Sequence, residues 1–190
     1  LSDYESMIGP SAIQELRALA THLVDQRILM VNSTRVGGGV AEILNRMVPL
    51  MTELGLSVRW EVIEGSSPFY AVTKKFHNAL HGKSETFSQD MFDLFMEMGR
   101  RNAQRLTLDD ELVLIHDPQP ITLVETRSRH RASRWVWRCH VDVSRPNAEV
   151  WNFLRPFILQ FDAAIYSAPA FTQPMEMRQV LIAPSIDPFS

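Results

Sequence analysis

A run of three consecutive glycines, Gly37, Gly38 and Gly39, constrains the fold of this chain more than any other feature of its sequence. A short apolar run, 28–31, precedes the glycines, and an amphipathic helical pattern follows them. Because glycine has no Cβ, backbone N–H groups at such a strand-to-helix turn can face a ligand at the positive end of the helix. Such a turn suits a phosphate or the hydroxyls of a sugar as ligands, or it is a tight turn that binds no ligand. It is not the dinucleotide fingerprint, since the Gly-x-Gly-x-x-Gly spacing is absent.

Composition and charge exclude several classes of protein. The 190 residues fit one domain, and 45% hydrophobic with 22% charged residues is typical of globular proteins. A formal net charge of -3 argues against a non-specific binder of nucleic acid or of a membrane surface. The single Cys139 cannot form an intrachain disulfide. We find no signal peptide and no apolar run of membrane-spanning length, and we therefore predict a cytoplasmic location.

Short apolar runs alternate with helical patterns along the chain. Six runs have strand character: 28–31, 57–63, 112–115, 135–139, 163–166 and 180–183. Five stretches have helical periodicity: 11–23, 43–54, 69–80, 87–106 and 149–160. Strands that alternate with helices indicate βαβ units. We therefore predict an α/β fold, a Rossmann-like and mostly parallel sheet with helices on both faces.

Polar residues follow the predicted strands at their carboxyl ends. His116 and Asp117 come after the run 112–115, and His140 and Asp142 come after the run 135–139. Ligands of open parallel sheets bind at the carboxyl ends of the strands, near the topological switch point. Either histidine alone could simply bond a neighbouring carbonyl. Two such pairs at equivalent strand ends, together with the glycine turn, indicate a site.

Other candidates carry less weight. Lys75 and His77 are candidate polar contacts, although a solvated helix face explains them better. The basic run Arg127 to Arg134 is predicted to be a solvated loop rather than an anion site. We predict no metal centre, because no His-x-x-x-His or Cys-rich ligand spacing accompanies the Asp and His residues at the strand ends. The absence of a Gly-x-Ser-x-Gly elbow argues against a hydrolytic triad.

Longer motifs resemble the trehalose-synthesising glycosyltransferases, retaining enzymes that join a nucleotide-activated glucose to free glucose. The resemblance covers nearly the whole chain, and the fungal-type trehalose phosphorylases look similar over the same stretches. The motifs that carry it are Val-Asn-Ser-Thr-x-Val-Gly-Gly-Gly-Val-Ala-Glu-Ile-Leu (31–44), Trp-Glu-Val-Ile-x-Gly (60–65), Val-Thr-Lys-Lys-Phe-His-Asn-Ala-Leu-x-Gly (72–82), His-Asp-Pro-Gln-Pro (116–120), Trp-Arg-Cys-His-Val-Asp (137–142), Pro-Asn-x-Glu-Val-Trp-x-Phe-Leu-Arg-Pro (146–156) and Pro-Ser-Ile-Asp-Pro (184–188).

The resemblance implies the N-terminal half of a GT-B fold, in which two Rossmann-like domains face a cleft. Residues 1–183 would be the acceptor-side domain, and residues 184–190 would begin the linker to a C-terminal domain that is not present. The family's donor-binding signature belongs to that second domain. We therefore expect either a truncated form or a natural fragment, without glycosyl transfer of its own.

The resemblance also implies roles for residues at the strand ends. His140 would lie under the donor glucose, and the N–H groups of Gly38 and Gly39 would approach the diphosphate and the reacting sugars. The remaining positions are expected to bind or support substrate: Gly37, Lys75, His116, Asp117, Gln119, Arg138 and Asp142. In this family the leaving phosphate is thought to take the acceptor proton, so paired carboxylates are not needed.

The partners implied are a glucose acceptor and a nucleotide-diphosphate glucose donor, with no cofactor. Apolar surface left without its second domain favours weak self-association into a homodimer. Two alternative functions stay open. One is a retaining trehalose phosphorylase domain, and the other is a non-catalytic carbohydrate-binding or interaction module.

Overall fold

The computed structural model describes residues 1–129 and 132–184 of the chain. In this part of the chain six strands are present: β1 (Arg27–Asn32), β2 (Ser57–Val62), β3 (Leu112–His116), β4 (Arg134–Arg138), β5 (Ala163–Tyr166) and β6 (Arg178–Leu181). The α-helices are α1 (Ser2–Ala20), α2 (Gly39–Glu53), α3 (Ser67–Leu80), α4 (Gln89–Arg105) and α5 (Ala148–Ile158). Short 3-10 helices span Thr21–Leu23, Ile121–Arg129 and Pro169–Phe171.

All six strands are parallel and lie in the order β2-β1-β3-β4-β5-β6. Alternate residues of the central strand β1 pack on opposite faces: Ile28 and Met30 face α2, whereas Leu29 and Val31 face the core beneath α3, α4 and α5. Burial on both faces explains why the strand reads as a continuous apolar run. The predicted Rossmann-like α/β fold with helices on both faces is confirmed.

The connections that follow β1 and β3, which are neighbours in the sheet, leave toward opposite faces of the sheet. β1 leads into α2 on one face, and β3 leads into the 3-10 helix Ile121–Arg129, whose apolar residues belong to the core on the other face. A crevice therefore opens outside the carboxyl ends of β1 and β3, which is the topological switch point of the sheet. This crevice is the place where such a fold binds its ligands.

Capping residues set several of the helix boundaries. The Oγ of Ser66 accepts the N–H of Phe69 at the start of α3, at 3.3 Å, and Asn147 caps α5 through its side-chain oxygen. Helix α2 ends before Gly55, which has φ 86°, and the N–H of Leu56 bonds the carbonyl of Met51. That pattern is a Schellman motif, in which glycine takes the left-handed position without penalty.

Three features differ from the sequence prediction or lie beyond the described residues. Helix α1 begins at Ser2 rather than near residue 11, and it bends at Gly9, where φ is 83°. Arg127 lies within the 3-10 helix Ile121–Arg129 and forms an ion pair with Asp162, so this end of the basic run is not a solvated loop. Residues 130–131 of that run, and the predicted linker from Ser185 onward, lie outside the described residues. Among the described helices, none is long and apolar enough to cross a membrane.

An aromatic cluster joins α3, α4 and α5 on one face of the sheet. Phe76 is fully buried, and its ring centroid lies 4.9 Å from that of Phe95, 5.5 Å from that of Phe92 and 5.8 Å from that of Phe153. The ring of Phe87 packs against Phe76 from the loop before α4, at 5.5 Å. The Met and Phe side chains of residues 87–106 therefore pack in or against the core.

We expect Phe76→Ala to lower the free energy of unfolding by about 3–5 kcal/mol, because it removes a buried ring and leaves a cavity among three helices. Urea unfolding followed by circular dichroism measures the loss. The control is Leu19→Ala, whose side chain is 58% exposed. It should change the stability by less than about 0.5 kcal/mol. A similarly small loss of stability for Phe76→Ala would contradict the conclusion that this aromatic cluster is part of the core.

Candidate active site

The loop after β1 is held in place by Asn32, a buried polar residue at the strand end. Its Oδ1 accepts the indole N–H of Trp60 at 2.8 Å, and its Nδ2 donates to the carbonyl oxygen of Thr34 at 2.7 Å. The guanidinium of Arg35 lies 4.7 Å from the centre of the Trp60 ring and donates to the Trp60 carbonyl. These contacts connect β1, β2 and the start of the loop. The approach to the three glycines is therefore fixed by side chains from the sheet.

The glycine loop exposes the amino end of α2. Gly37 and Gly38 have φ of 74° and 90°, values that favour glycine, whereas Gly39 is the first residue of the helix. A Cβ placed on any of the three would meet no protein atom within 4 Å. The first helical hydrogen bond runs from the N–H of Glu42 to the carbonyl of Gly38. The N–H groups at the helix start are therefore available to an anion.

A cleft of about 450 Å³ opens beside this loop, at the carboxyl ends of β1 and β3. Its lining residues are Ser33, Thr34, Tyr70, Thr73, Lys74, His77 and Gln119. Ser33 and Thr34 follow β1, Gln119 follows β3, and the others lie on one face of α3. The Oε1 atom of Gln119 is buried and has no hydrogen-bond partner within the described residues. The cleft thus combines hydroxyls, an amide, an amine and an imidazole at the switch point of the sheet.

His116 and His140 stack against each other at the ends of β3 and β4. Nδ1 of His116 lies 3.1 Å from Nε2 of His140, and the rings are 16° from parallel. Burial lowers the pKa of His116 to about 3 and that of His140 to about 4. Both rings are therefore neutral at pH 7, and one donates a hydrogen bond to the other. Nε2 of His116 is buried without a partner in the part of the chain that the structure describes.

Asp117 ties the end of β3 to the end of β4. Its Oδ1 accepts the backbone N–H of His140 at 2.8 Å, and its carbonyl accepts the indole N–H of Trp137 at 3.0 Å. Its own N–H donates to the carbonyl of Arg138 at 2.9 Å. Asp117 has φ 63°, a left-handed conformation that Asp tolerates better than most residues. Burial raises the pKa of its carboxyl to about 6.

Arg138 contacts the outer strands rather than the cleft. Its side chain is buried, and the guanidinium donates to Oγ of Ser167 at 3.3 Å and to the carbonyl of Ile182 at 3.0 Å. Burial lowers the pKa of this guanidinium from its ordinary value. The Nη1 atom has no partner among the residues described. Arg138 therefore supports the ends of β4, β5 and β6, and substrate contact by it stays a prediction.

Asp142 and Lys75 make local contacts away from the lining of the cleft. Oδ1 of Asp142 accepts the backbone N–H of Ser144 at 2.8 Å, and this bond holds the pKa of the carboxyl below its usual range. Nζ of Lys75 donates to the carbonyl of Thr86 at 3.1 Å. The structure thus brings His116, Asp117 and His140 together and places Gln119 in the cleft beside Ser33 and Thr34, but it places neither Asp142 nor Lys75 in the lining of that cleft.

One face of α3 supplies residues that the sequence interpretation missed. Tyr70, Thr73, Lys74 and His77 line the cleft at the spacing i, i+3, i+4 and i+7. That spacing places them on the same side of a helix, whereas Lys75 lies about 100° further round. Of these four, only His77 was a candidate from the sequence. The sequence contained a signal for this face, because Tyr70 and Lys74 are polar and lie one helical turn apart.

A parallel sheet with helices on both faces, a glycine loop at a helix start and a polar cleft at the switch point define a Rossmann-like ligand-binding domain. A family model described as "Trehalose synthase, N-terminal domain" matches residues 30–173. The chain belongs to this family.

Relatives with established names agree with the family model. The chain is 44% identical over 194 positions to the trehalose synthase of Thermococcus litoralis, and 42% identical over 196 positions to that of Rubrobacter xylanophilus. All of this chain is covered, but only 47% of each relative. The trehalose phosphorylase of Pleurotus pulmonarius is 26% identical over 81% of this chain and 24% of its own length. The chain therefore spans about half the length of the synthases it matches.

The stability of the domain should fall as the pH drops from 6 to 4. The folded chain keeps His116 and His140 neutral below their ordinary pKa of 6.5, whereas the unfolded chain protonates both. Folded Asp117 opposes this, because its raised pKa retains one proton that the unfolded chain loses above pH 3.8. The unfolded state therefore binds about one more proton at these three groups, and they contribute a fall of about 1.4 kcal/mol per pH unit.

His140→Gln removes one of the two histidines and should flatten this contribution, because His116 and Asp117 then oppose each other. Urea unfolding at several pH values between 4 and 6 measures the difference in slope between the variant and the wild type. His22→Gln is the matched control, since His22 is exposed on the first 3-10 helix. It should keep the wild-type slope. Equal slopes in all three proteins would show that the stacked pair is not held neutral.

Proposed function

We propose that this chain is the acceptor-side domain of a retaining glycosyltransferase that makes trehalose from a nucleotide-diphosphate glucose and glucose. The proposal is carried by one observation, the polar cleft at the switch point with an unpaired buried amide oxygen in its lining. Family membership supports it, because the named synthases align with the whole of this chain. The donor nucleotide would be bound mainly by the second half of the protein, so this chain alone would not transfer glucose.

The cleft has the groups that a neutral polyol needs. Ser33, Thr34 and Tyr70 bring side-chain hydroxyls, which can both donate and accept hydrogen bonds. The Oε1 of Gln119 is a buried acceptor, and leaving such a group unpaired costs about 1–3 kcal/mol. A glucose hydroxyl that donates to this oxygen would remove that penalty. We therefore assign the cleft to the acceptor glucose, with Gln119 orienting it.

The donor would lie between the glycine loop and His140. The N–H groups of Gly38 and Gly39 carry the partial positive charge of the α2 amino end and would face the diphosphate. His140 is neutral at pH 7, so it would not repel the positive charge that develops on the donor sugar. It would act as a hydrogen-bonding dipole, with its orientation set by His116 and Asp117. On this view the leaving phosphate accepts the proton of the attacking hydroxyl.

Two other functions fit parts of the same observations. A trehalose phosphorylase would use phosphate where the synthase uses a nucleotide diphosphate, and the lower identity to the named phosphorylases favours the synthase. A non-catalytic carbohydrate-binding module would keep the cleft and lack transfer in any form of the protein. The homodimer predicted from the sequence stays a prediction.

Glucose should shift the amide resonances of residues 33–34, 70–77 and 116–119 in a titration of the ¹⁵N-labelled chain. Gln119→Ala should weaken glucose binding by about three- to tenfold, the value of a single hydrogen bond to a sugar hydroxyl. Gln104→Ala is the control, because Gln104 is exposed beside a separate, smaller cavity between α4 and the second 3-10 helix. Shifts that are unaffected by Gln119→Ala would place the acceptor elsewhere.

Gly39→Ala should leave the domain folded but weaken anion binding at the glycine loop. The new Cβ meets no protein atom within 4 Å and lies at a helical position, so the stability should be unchanged or slightly raised. Gly38→Ala should instead lose about 1–3 kcal/mol, because φ is 90° there. Inorganic pyrophosphate, followed by amide shifts, serves as the probe. Weakening of about tenfold or more for Gly39→Ala supports a ligand-facing loop. Unchanged binding would indicate a tight turn only.

A further inference from the structure

Two histidines lie one turn apart near the carboxyl end of α3. Nε2 of His77 is 3.1 Å from Nε2 of His81, and the ring centroids are 4.8 Å apart. The i, i+4 spacing places both rings on one side of the helix. The His-x-x-x-His spacing of residues 77–81 is visible in the sequence, where we predicted no metal. His77 also lines the cleft that we assign to the acceptor glucose, whereas His81 does not line it.

The separation of the two nitrogens fits a chelated metal ion. With a transition metal about 2.0–2.1 Å from each Nε2, the angle between the two nitrogens at the metal would be about 100°, between the square-planar and tetrahedral values. In the metal-free pair one Nε2 carries hydrogen and bonds the other. On binding, that ring shifts its hydrogen to Nδ1, and both Nε2 lone pairs become free.

The surroundings of the pair determine which cation it can hold. Burial and the nearby charges of His81 and Lys83 hold the pKa of His77 below its ordinary value, so this ring is a neutral ligand at pH 7. The carboxyl end of a helix attracts cations, and the carboxylate of Asp142 is close enough to His81 for their charges to interact. Lys83 opposes a cation. A metal with high intrinsic affinity for imidazole is therefore favoured over Ca²⁺ or Mg²⁺.

We propose that His77 and His81 form a two-histidine site for a divalent transition-metal cation, with affinity highest for Cu²⁺ and lower for Ni²⁺ and Zn²⁺. Within the described residues no cluster of three or more His, Cys, Asp or Glu side chains is placed to hold a metal. Water therefore fills the remaining positions. The site does not depend on the proposed function. It has a consequence for that function, because an ion held by His77 lies at the wall of the cleft and would hinder sugar binding.

Cu²⁺ binding to the 190-residue chain without a polyhistidine tag tests the site. Isothermal titration should give one ion per chain, and electron paramagnetic resonance should show coupling to two nitrogens. His81→Gln should weaken binding at least tenfold and remove one nitrogen coupling. The side chain of His81 is exposed, so an unchanged Tm and circular dichroism spectrum of the metal-free variant would separate lost ligation from lost folding.

His22→Gln is the matched control, because it removes an exposed histidine from a different element. It should bind Cu²⁺ as the wild type does. The proposal is overturned if His81→Gln binds as tightly as the wild type, if only His22→Gln loses affinity, or if the wild type shows coupling to a single nitrogen. Glucose binding that is unaffected by Gln119→Ala would count against the proposed function alone and would leave the metal site standing.

Discussion

The candidate site depends on the hydrogen bonds that Asp117 makes across the ends of β3 and β4. Its N–H, its carbonyl and its carboxylate each bind a different residue of the neighbouring strand end, namely Arg138, Trp137 and His140. These three bonds need a left-handed backbone at Asp117, where φ is 63°. They fix the position of the His140 backbone relative to the end of β3. The ring of His140 can then stack on His116, and the ends of β3 and β4 form a rigid surface against which a ligand can bind.

Electrostatics divide the site into two parts. The stacked histidines are neutral at pH 7, because burial makes their charged forms unfavourable. Partial positive charge lies instead at the amino end of α2, in the glycine loop. A ligand with a phosphate at one end and a neutral sugar at the other would match this division. Both parts of the site lie at the same edge of the sheet, because the loop after β1 and the ends of β3 and β4 all lie at the carboxyl ends of parallel strands.

Sequence reasoning was accurate where the signal was local. The apolar run of β1 and the helical periodicity of α2, α3 and α5 each depend on residues close in the chain, and each was confirmed. It was less accurate where a distant partner decides the outcome. Arg127 was expected in a loop, but it lies in a 3-10 helix that packs on the core, and it forms an ion pair with Asp162. Asp162 is 35 residues away, and no pattern near Arg127 indicates it.

The sequence by itself determined the alternation of strands and helices, the glycine turn and the family, because periodicity, glycine and long motifs act locally and do not require contacts to be known. Only the tertiary structure decided how those parts work together. It placed Gln119 and Lys74 in one cleft, stacked His116 on His140 and turned Lys75 and Arg138 toward other partners. The physical reason is that burial and hydrogen-bond partners depend on which strand ends become neighbours. The strand order β2-β1-β3-β4-β5-β6 arises only when the whole chain folds.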